Sequence, residues 1–220
     1  MSALPDNVRP YNKTEVLKPK LSKADLDNLL QILPKLSEKD QTVLLEELSD
    51  YENLLNKAKT KEDFLEFVKK MWPEFILGRH HAKMAKAFER VANGECKRLI
   101  INMPPRHTKS EFASYLLPAW FLGRFPQKKV IQTSHTAELA VGFGRKVRNW
   151  NTSKGGDYFA IGVGGAVTGK GADLLIIDDP HSEQEATLAE HSPEIYDKVH
   201  EWYTSGPRQR LQPGGAIIIV

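Results

Sequence analysis

The chain has 220 residues, about one and a half typical domains, with 31 Lys+Arg against 28 Asp+Glu and a formal net charge of +3. At 40% hydrophobic and 27% charged it reads as a soluble globular protein, too apolar to be disordered throughout. A charge of +3 does not by itself argue a nucleic-acid partner. No apolar run approaches the ~18 residues of a membrane span, and the N-terminus lacks the apolar core of a secretory signal. The single cysteine, Cys96, excludes an internal disulfide framework and a Cys-rich zinc site, and points to a reducing, cytosolic compartment.

Residues 1–20 mix Pro, Asn and Lys without periodicity and read as a flexible arm. Leu26, Leu29, Leu30 and Leu33 repeat at helical spacing behind an N-cap signal at Ser22, with Asp25 three residues on. Pro34 closes that helix. Ser37 opens a second, with Val43, Leu44, Leu48 and Leu55 on one face. A third helix is expected from Thr60, carrying Phe64, Leu65, Phe67, Val68 and Met71. Short, Pro-interrupted runs of this kind predict a small helical bundle rather than a long coiled coil.

From Lys97 short apolar runs alternate with helical stretches. Strands are expected at 98–103, 129–133, 158–163, 174–177 and 216–220, and helices at 110–122, 136–150 and 194–203. Strands apolar on both faces that alternate with helices predict an α/β fold, a mostly parallel sheet covered by helices on both sides. The last apolar strand ends at Val220 with no turn after it, which predicts that the polypeptide is part of a longer one.

Met103-Pro104-Pro105-Arg106-His107-Thr108-Lys109-Ser110 lies between a predicted strand and a predicted helix, where a phosphate-binding loop belongs. Such a loop needs inward-facing amides at a helix N-terminus, a Lys for the β/γ-phosphates and a hydroxyl for Mg²⁺. Lys109 and Ser110 supply the last two. The usual glycine positions hold Met103 and Thr108, and Pro104 and Pro105 have no N–H, so the donors come from Arg106 through Ser110. Alone, Lys-Ser at a helix start equally fits a capped surface helix. The second motif, Leu174-Leu175-Ile176-Ile177-Asp178-Asp179, puts two acids at the C-terminal end of a buried strand, the edge where a doubly wound sheet binds ligands. The first acid then holds Mg²⁺ and the second orients and activates water against the γ-phosphate of ATP.

These two blocks resemble the deviant Walker A and the Walker B of tailed-bacteriophage terminase large subunits. Gln132-Thr133-Ser134-His135 with Ala137-Glu138-Leu139-Ala140 is similar to the strand and helix between them. The resemblance covers roughly 60–220. It implies a P-loop NTPase-type fold, with 21–72 as a helical N-terminal region and 73–220 as an ATPase domain incomplete at its C-terminus. It also implies an ATP-hydrolysing, Mg²⁺-dependent motor that drives double-stranded DNA into a procapsid. The partners it implies are the portal protein, the terminase small subunit and further copies in a ring on the portal, in the host cytoplasm. The family's C-terminal nuclease is absent from this chain. The stretch at Val147–Thr152 is shorter than the family's, and the family's coupling motif would follow the final strand.

The resemblance makes Asp179, Lys109 and Arg106 catalytic, Arg106 as the γ-phosphate sensor. Nucleotide contacts fall to Arg106, His107, Thr108, Lys109, Ser110 and His80; near Trp72, Phe75 and Arg79, His80 or His81 is the candidate adenine contact, against the equally open reading of a surface histidine. Ser110 and Asp178 are the Mg²⁺ ligands. Lys170, in Gly169-Lys170-Gly171, is a candidate trans-acting residue for a neighbouring subunit, against the simpler reading of a solvated turn lysine. Arg145, Lys146 and Arg148 read as cations complementing a helix end, with DNA-backbone contact as the alternative. His81, His107 and His135 lack metal-ligand spacing. Two other readings stay open: a helicase-like P-loop nucleic-acid translocase, and a non-hydrolysing nucleotide-binding fragment.

Overall fold

The computed structural model describes residues 23–143 and 149–220. The arm expected at 1–20, the Ser22 cap and the basic cluster Arg145, Lys146 and Arg148 lie outside the described residues. The chain divides into two compact units, 1–60 and 61–220.

In the first unit α1 spans Lys23–Ile32 and ends in a single 3-10 turn at Leu33–Lys35 that contains Pro34. Pro fixes φ and removes the donor that would continue the helix. α2 then runs as one helix over Glu38–Glu62, so Thr60 lies inside it rather than opening a new helix. Ser37 caps it by accepting from the Asp40 amide at 3.3 Å. No residue of α2 is buried. Leu44, Leu48 and Leu55 are half-buried, while Val43 is 49% and Leu45 52% exposed. The expected bundle core is therefore not present among the described residues. Two helices have a single face to share, and a layer of this size does not enclose apolar side chains on its own.

The second unit opens with α3, Phe64–Met71, which starts one step after its cap: Asp63 accepts from the Glu66 amide at 2.9 Å. Phe64 and Val68 are fully buried in the core of this unit, with the Phe64 ring 5.4 Å from Phe88, 5.7 Å from Phe112 and 5.3 Å from Trp120. Burial of each such side chain contributes about 1.5–3 kcal/mol. α3 thus packs into the core of the second unit. α4 follows at Arg79–Ala92.

The sheet has six strands: β1 (Arg98–Ile100), β2 (Lys129–Ser134), β3 (Asn149–Asn151), β4 (Asp157–Gly162), β5 (Ala172–Asp178) and β6 (Leu211–Ile219). Their order is β1-β6-β5-β2-β4-β3; all neighbours are parallel except β3, which runs antiparallel on β4. Trp150, expected at the end of a helix, sits in β3 and stacks on Tyr158 at 5.3 Å; α6 is Ala137–Phe143. Alternation along the inner strands buries both faces. Val130, Leu174, Ile176, Ala216 and Ile218 join one apolar cluster, and Ile131, Leu175, Ile177 and Ile217 join the other. This is the pattern of a helix-covered parallel sheet.

The helix after β1 is not regular. Glu111–Leu116 forms a π-helical stretch, with the Leu117 amide bonded to the Phe112 carbonyl, before α5 at Leu117–Arg124. Pro118 is the cause. It offers no amide to the Ser114 carbonyl four residues back, and its ring crowds that carbonyl. α7 (Glu183–Ala189) and α8 (Glu194–Ser205) complete the unit. Among the described residues no helix is long and apolar enough to cross a membrane.

Candidate functional site

The parallel strands bring the C-terminal ends of β1, β6, β5, β2 and β4 to one edge of the sheet. β1 is prolonged by the Ile101 amide, which bonds the Ile219 carbonyl at 2.8 Å. The chain then turns through Asn102–Thr108 and enters the helix at Lys109. The Phe112 amide bonds the Thr108 carbonyl at 3.0 Å, so the amides of Lys109, Ser110 and Glu111 precede the first intrahelical donor. Unmatched amides at a helix start, with the positive end of its dipole, attract phosphate. Arg106 and His107 are exposed on this loop, and Thr108 is half-buried. Among the described residues the Arg106 guanidinium is in no ion pair.

Three non-glycine residues have positive φ among the described residues, and all lie here: Arg106 at 62°, Thr108 at 57° and Asp179 at 40°. Each such angle costs roughly 1–3 kcal/mol and is sustained only by its surroundings. Thr108 occupies a position where phosphate loops usually carry glycine. Met103, at the other glycine position, does not take a positive φ.

The acids meet this loop from β5. Asp178 is 1% exposed; its Oδ1 accepts from Ser110 Oγ at 3.1 Å and its Oδ2 from Ser114 Oγ at 2.7 Å. Burial holds its carboxyl above the ordinary range; the two serine hydroxyls act the other way. Asp179 projects outward, half exposed, and its Oδ1 accepts from Lys109 Nζ at 2.7 Å. Its backbone is fixed from both sides. The Asp179 amide donates to the Val220 carbonyl and its carbonyl accepts from the His135 amide, both at 3.2 Å. The turn after β5 thus hangs between the ends of β2 and β6. His135 is close enough to depress the Glu185 carboxyl together with His181, although the Ser182 amide bond is the larger influence.

Arg106, His107, Thr108, Lys109, Ser110, Asp178 and Asp179 are therefore gathered at one edge, as their spacing predicts. His80 is half-buried beside them, its ring 5.7 Å from that of His107. Lys170 is not with them. It precedes β5, at the opposite edge of the sheet, where Nζ pairs with Asp157 Oδ2 at 2.8 Å and lies 5.2 Å over the Phe159 ring. Its charge is engaged within its own chain.

Sequence reasoning misses Ser114 as a participant. It shares a helix face with Ser110 four residues earlier, and that spacing is the signal that marks it. It also misses the contact His81 makes with the loop. His81 is buried at 6% exposure, and its Nε2 lies 2.7 Å from Thr108 Oγ1. Desolvation, with His80 and His107 nearby, pushes its imidazole below the usual histidine range, so the ring is neutral. Comparison with protein-family models and with curated proteins gives no match.

Proposed function

We propose that this chain is a P-loop ATPase domain of the DNA-packaging kind, a terminase large subunit that hydrolyses ATP to move double-stranded DNA. The observation that carries the reading is the pairing of loop and acids across an intervening strand: Lys109 with Asp179 at 2.7 Å, and Ser110 with Asp178 at 3.1 Å. A lysine and a hydroxyl at a helix start, facing two carboxylates in one crevice, match what nucleoside triphosphate hydrolysis requires.

Ser110 Oγ and Asp178 are the residues to hold Mg²⁺. The donors are hard oxygens, and one carboxylate with one hydroxyl leaves room for water and phosphate oxygens, which is how this ion is usually held. A cation there favours the ionised carboxylate that burial opposes. When bound, the ion neutralises charge on the β- and γ-phosphate oxygens. The amides from Arg106 to Ser110 cradle the phosphates. Lys109 exchanges its bond to Asp179 for the phosphates and leaves that carboxylate able to accept a hydrogen bond from the attacking water. Asp179 is the more exposed acid and suits that task; Asp178, buried and doubly bonded, suits the metal. Arg106 stands free to meet the γ-phosphate. The contribution of these groups is positioning and electrostatic stabilisation.

The resemblance to terminases supplies the proposed partners: double-stranded DNA, the portal protein, the small subunit, and further copies in a ring, in the host cytoplasm. The Lys109–Asp179 pair also supports a second reading, a module that binds nucleotide without turnover, because the acid is already engaged. Binding of Mg·ATP and release of phosphate by the chain, with Lys109→Ala beside it, decide the matter. Magnesium-dependent binding and turnover, both lost in Lys109→Ala, are expected. Binding without phosphate release favours the second reading, and binding indifferent to Lys109 overturns both.

A further inference from the structure

Thr108 adopts φ 57° although its side chain branches at Cβ. That conformation is rare for such residues, and glycine is the usual solution. The surroundings supply another. Thr108 Oγ1 donates to the His107 carbonyl at 2.7 Å and meets His81 Nε2 at 2.7 Å. On the far side of the ring, His81 Nδ1 accepts from the Gly78 amide at 2.8 Å. A ring nitrogen that accepts from an amide carries no hydrogen, so in the neutral ring the hydrogen is on Nε2. The bonds then run in one direction: Gly78 N–H to His81, His81 Nε2–H to Thr108, and Thr108 O–H to the His107 carbonyl.

The imidazole has little freedom to leave this position. Its centroid is 4.7 Å from Phe75, 4.9 Å from Phe112 in a stacked arrangement, and 3.8 Å from His80. Phe112 belongs to the helix that begins at the loop, so His81 contacts the loop directly and through the helix behind it. A Cβ at Gly78 would come within 2.7 Å of the His80 ring, so a larger residue there would push that ring aside.

We propose that His81 is a positioning residue for nucleotide binding: through Thr108 Oγ1 it holds the loop in the left-handed turn that a glycine would otherwise provide. The loop amides then face the phosphates before ligand arrives. That the ligand is a nucleoside triphosphate rests on the function proposed above; that His81 orders the loop does not.

The test uses the 220-residue chain, Mg·ATP as the probe, and three variants: His81→Phe, Thr108→Gly and the double substitution. Phe keeps an aromatic ring against Phe75 and Phe112 but removes both hydrogen bonds. His81→Phe is expected to weaken Mg·ATP binding roughly tenfold when Thr108 is present and less than about threefold in the Thr108→Gly background, a coupling that marks two residues acting on one element. Equal losses in both backgrounds would mean that His81 serves only to cap and pack α4, and would overturn the proposal. Two measurements on the unliganded chain separate this from failure of the ATPase reading. The ¹⁵N shifts of His81 in the wild-type chain should report the Nε2–H tautomer, and the amides of Thr108, Lys109 and Ser110 should exchange faster in His81→Phe. Absence of Mg·ATP binding by the wild type sinks the ATPase reading alone. An Nδ1–H tautomer, or exchange that His81→Phe leaves unchanged, sinks the role of His81 whatever the ligand.

Discussion

Replacing Ser114 by alanine tests the electrostatics of the buried acid. Ser114 has no exposed surface, and its hydroxyl is one of two that bond the Asp178 carboxylate, at 2.7 Å. A hydrogen bond to a charged group contributes about 1.5–3 kcal/mol. Alanine removes the donor and leaves Oδ2 of a buried carboxylate without its hydroxyl partner. For a domain of 150–250 residues each kcal/mol moves Tm by about 2–4 °C, so a fall of roughly 3–12 °C is expected in nucleotide-free protein near neutral pH. The loss depends on pH in a definite direction. Burial raises the Asp178 carboxyl above its ordinary 3.8, and loss of the Ser114 bond raises it further. The bond is at full strength where Asp178 is ionised, above that raised midpoint. The deficit of Ser114→Ala therefore shrinks as pH falls through it, because a protonated carboxyl makes only a neutral bond. Thermal unfolding of both chains across this range is the assay. An unchanged Tm, or a deficit as large in acid as at neutral pH, would refute the assignment of Ser114 to a charged partner.

Lys109→Ala is expected to abolish ATP hydrolysis and leave the fold intact, measured as phosphate release beside circular dichroism; wild-type turnover would remove Lys109 from the phosphate loop. Asp179→Asn should keep Mg·ATP binding and lose hydrolysis, whereas Asp178→Asn should lose the magnesium-dependent part of binding; equal effects in calorimetry would end the division of roles. Asp178→Asn should also raise Tm without nucleotide. A carboxyl whose folded midpoint lies above its unfolded one opposes folding once ionised, and this penalty vanishes below the ordinary 3.8. For His81 the sign is reversed: its folded midpoint lies below 6.5, so the unfolded chain binds the proton first and stability falls as pH drops below 6.5. The slope of Tm against pH in that window should be shallower in His81→Phe; identical slopes would show that His81 is not buried neutral.

Legibility from the sequence followed the range of the interactions. The strands at 129–134 and 172–178 are readable because a parallel strand buried on both faces leaves an unbroken apolar run. Lys109-Ser110 and Asp178-Asp179 stand out as candidates because each is a short local pattern beside a strand. β3 is not: three residues at Asn149–Asn151 become a strand through pairing with β4 and the stacking of Trp150 on Tyr158, and neither leaves a local pattern. The break in the helix expected over 110–122 was missed, although Pro118 marks it. α7 was missed as well, although Ser182 and Glu185, whose reciprocal cap bonds are in place, mark its start. His81 acts on a residue 27 positions away. An alternating or helical pattern carries no trace of that, and the imidazole reads as an ordinary helix-start residue until the fold brings Thr108 to it.

β6 sits between the strand that leads to the loop and the strand that ends in the acids, with Ile217, Ile218 and Ile219 hydrogen-bonded on both flanks. It works as a gauge. Neighbouring strands lie about 4.8 Å apart, so β1 and β5 are held roughly 10 Å apart, two spacings, instead of one. At that separation the long side chain of Lys109 just reaches Asp179, at 2.7 Å, and Ser110 reaches Asp178, at 3.1 Å. The width of the crevice is therefore encoded by aliphatic residues that never touch it. A slip of β6 by one residue would exchange Ile217 and Ile218 between the two faces of the sheet and shift the Val220 carbonyl that anchors Asp179. Substitutions in this strand should thus behave in two registers at once, as ordinary core defects in a melting curve and as misalignment of the loop against the acids in a binding curve.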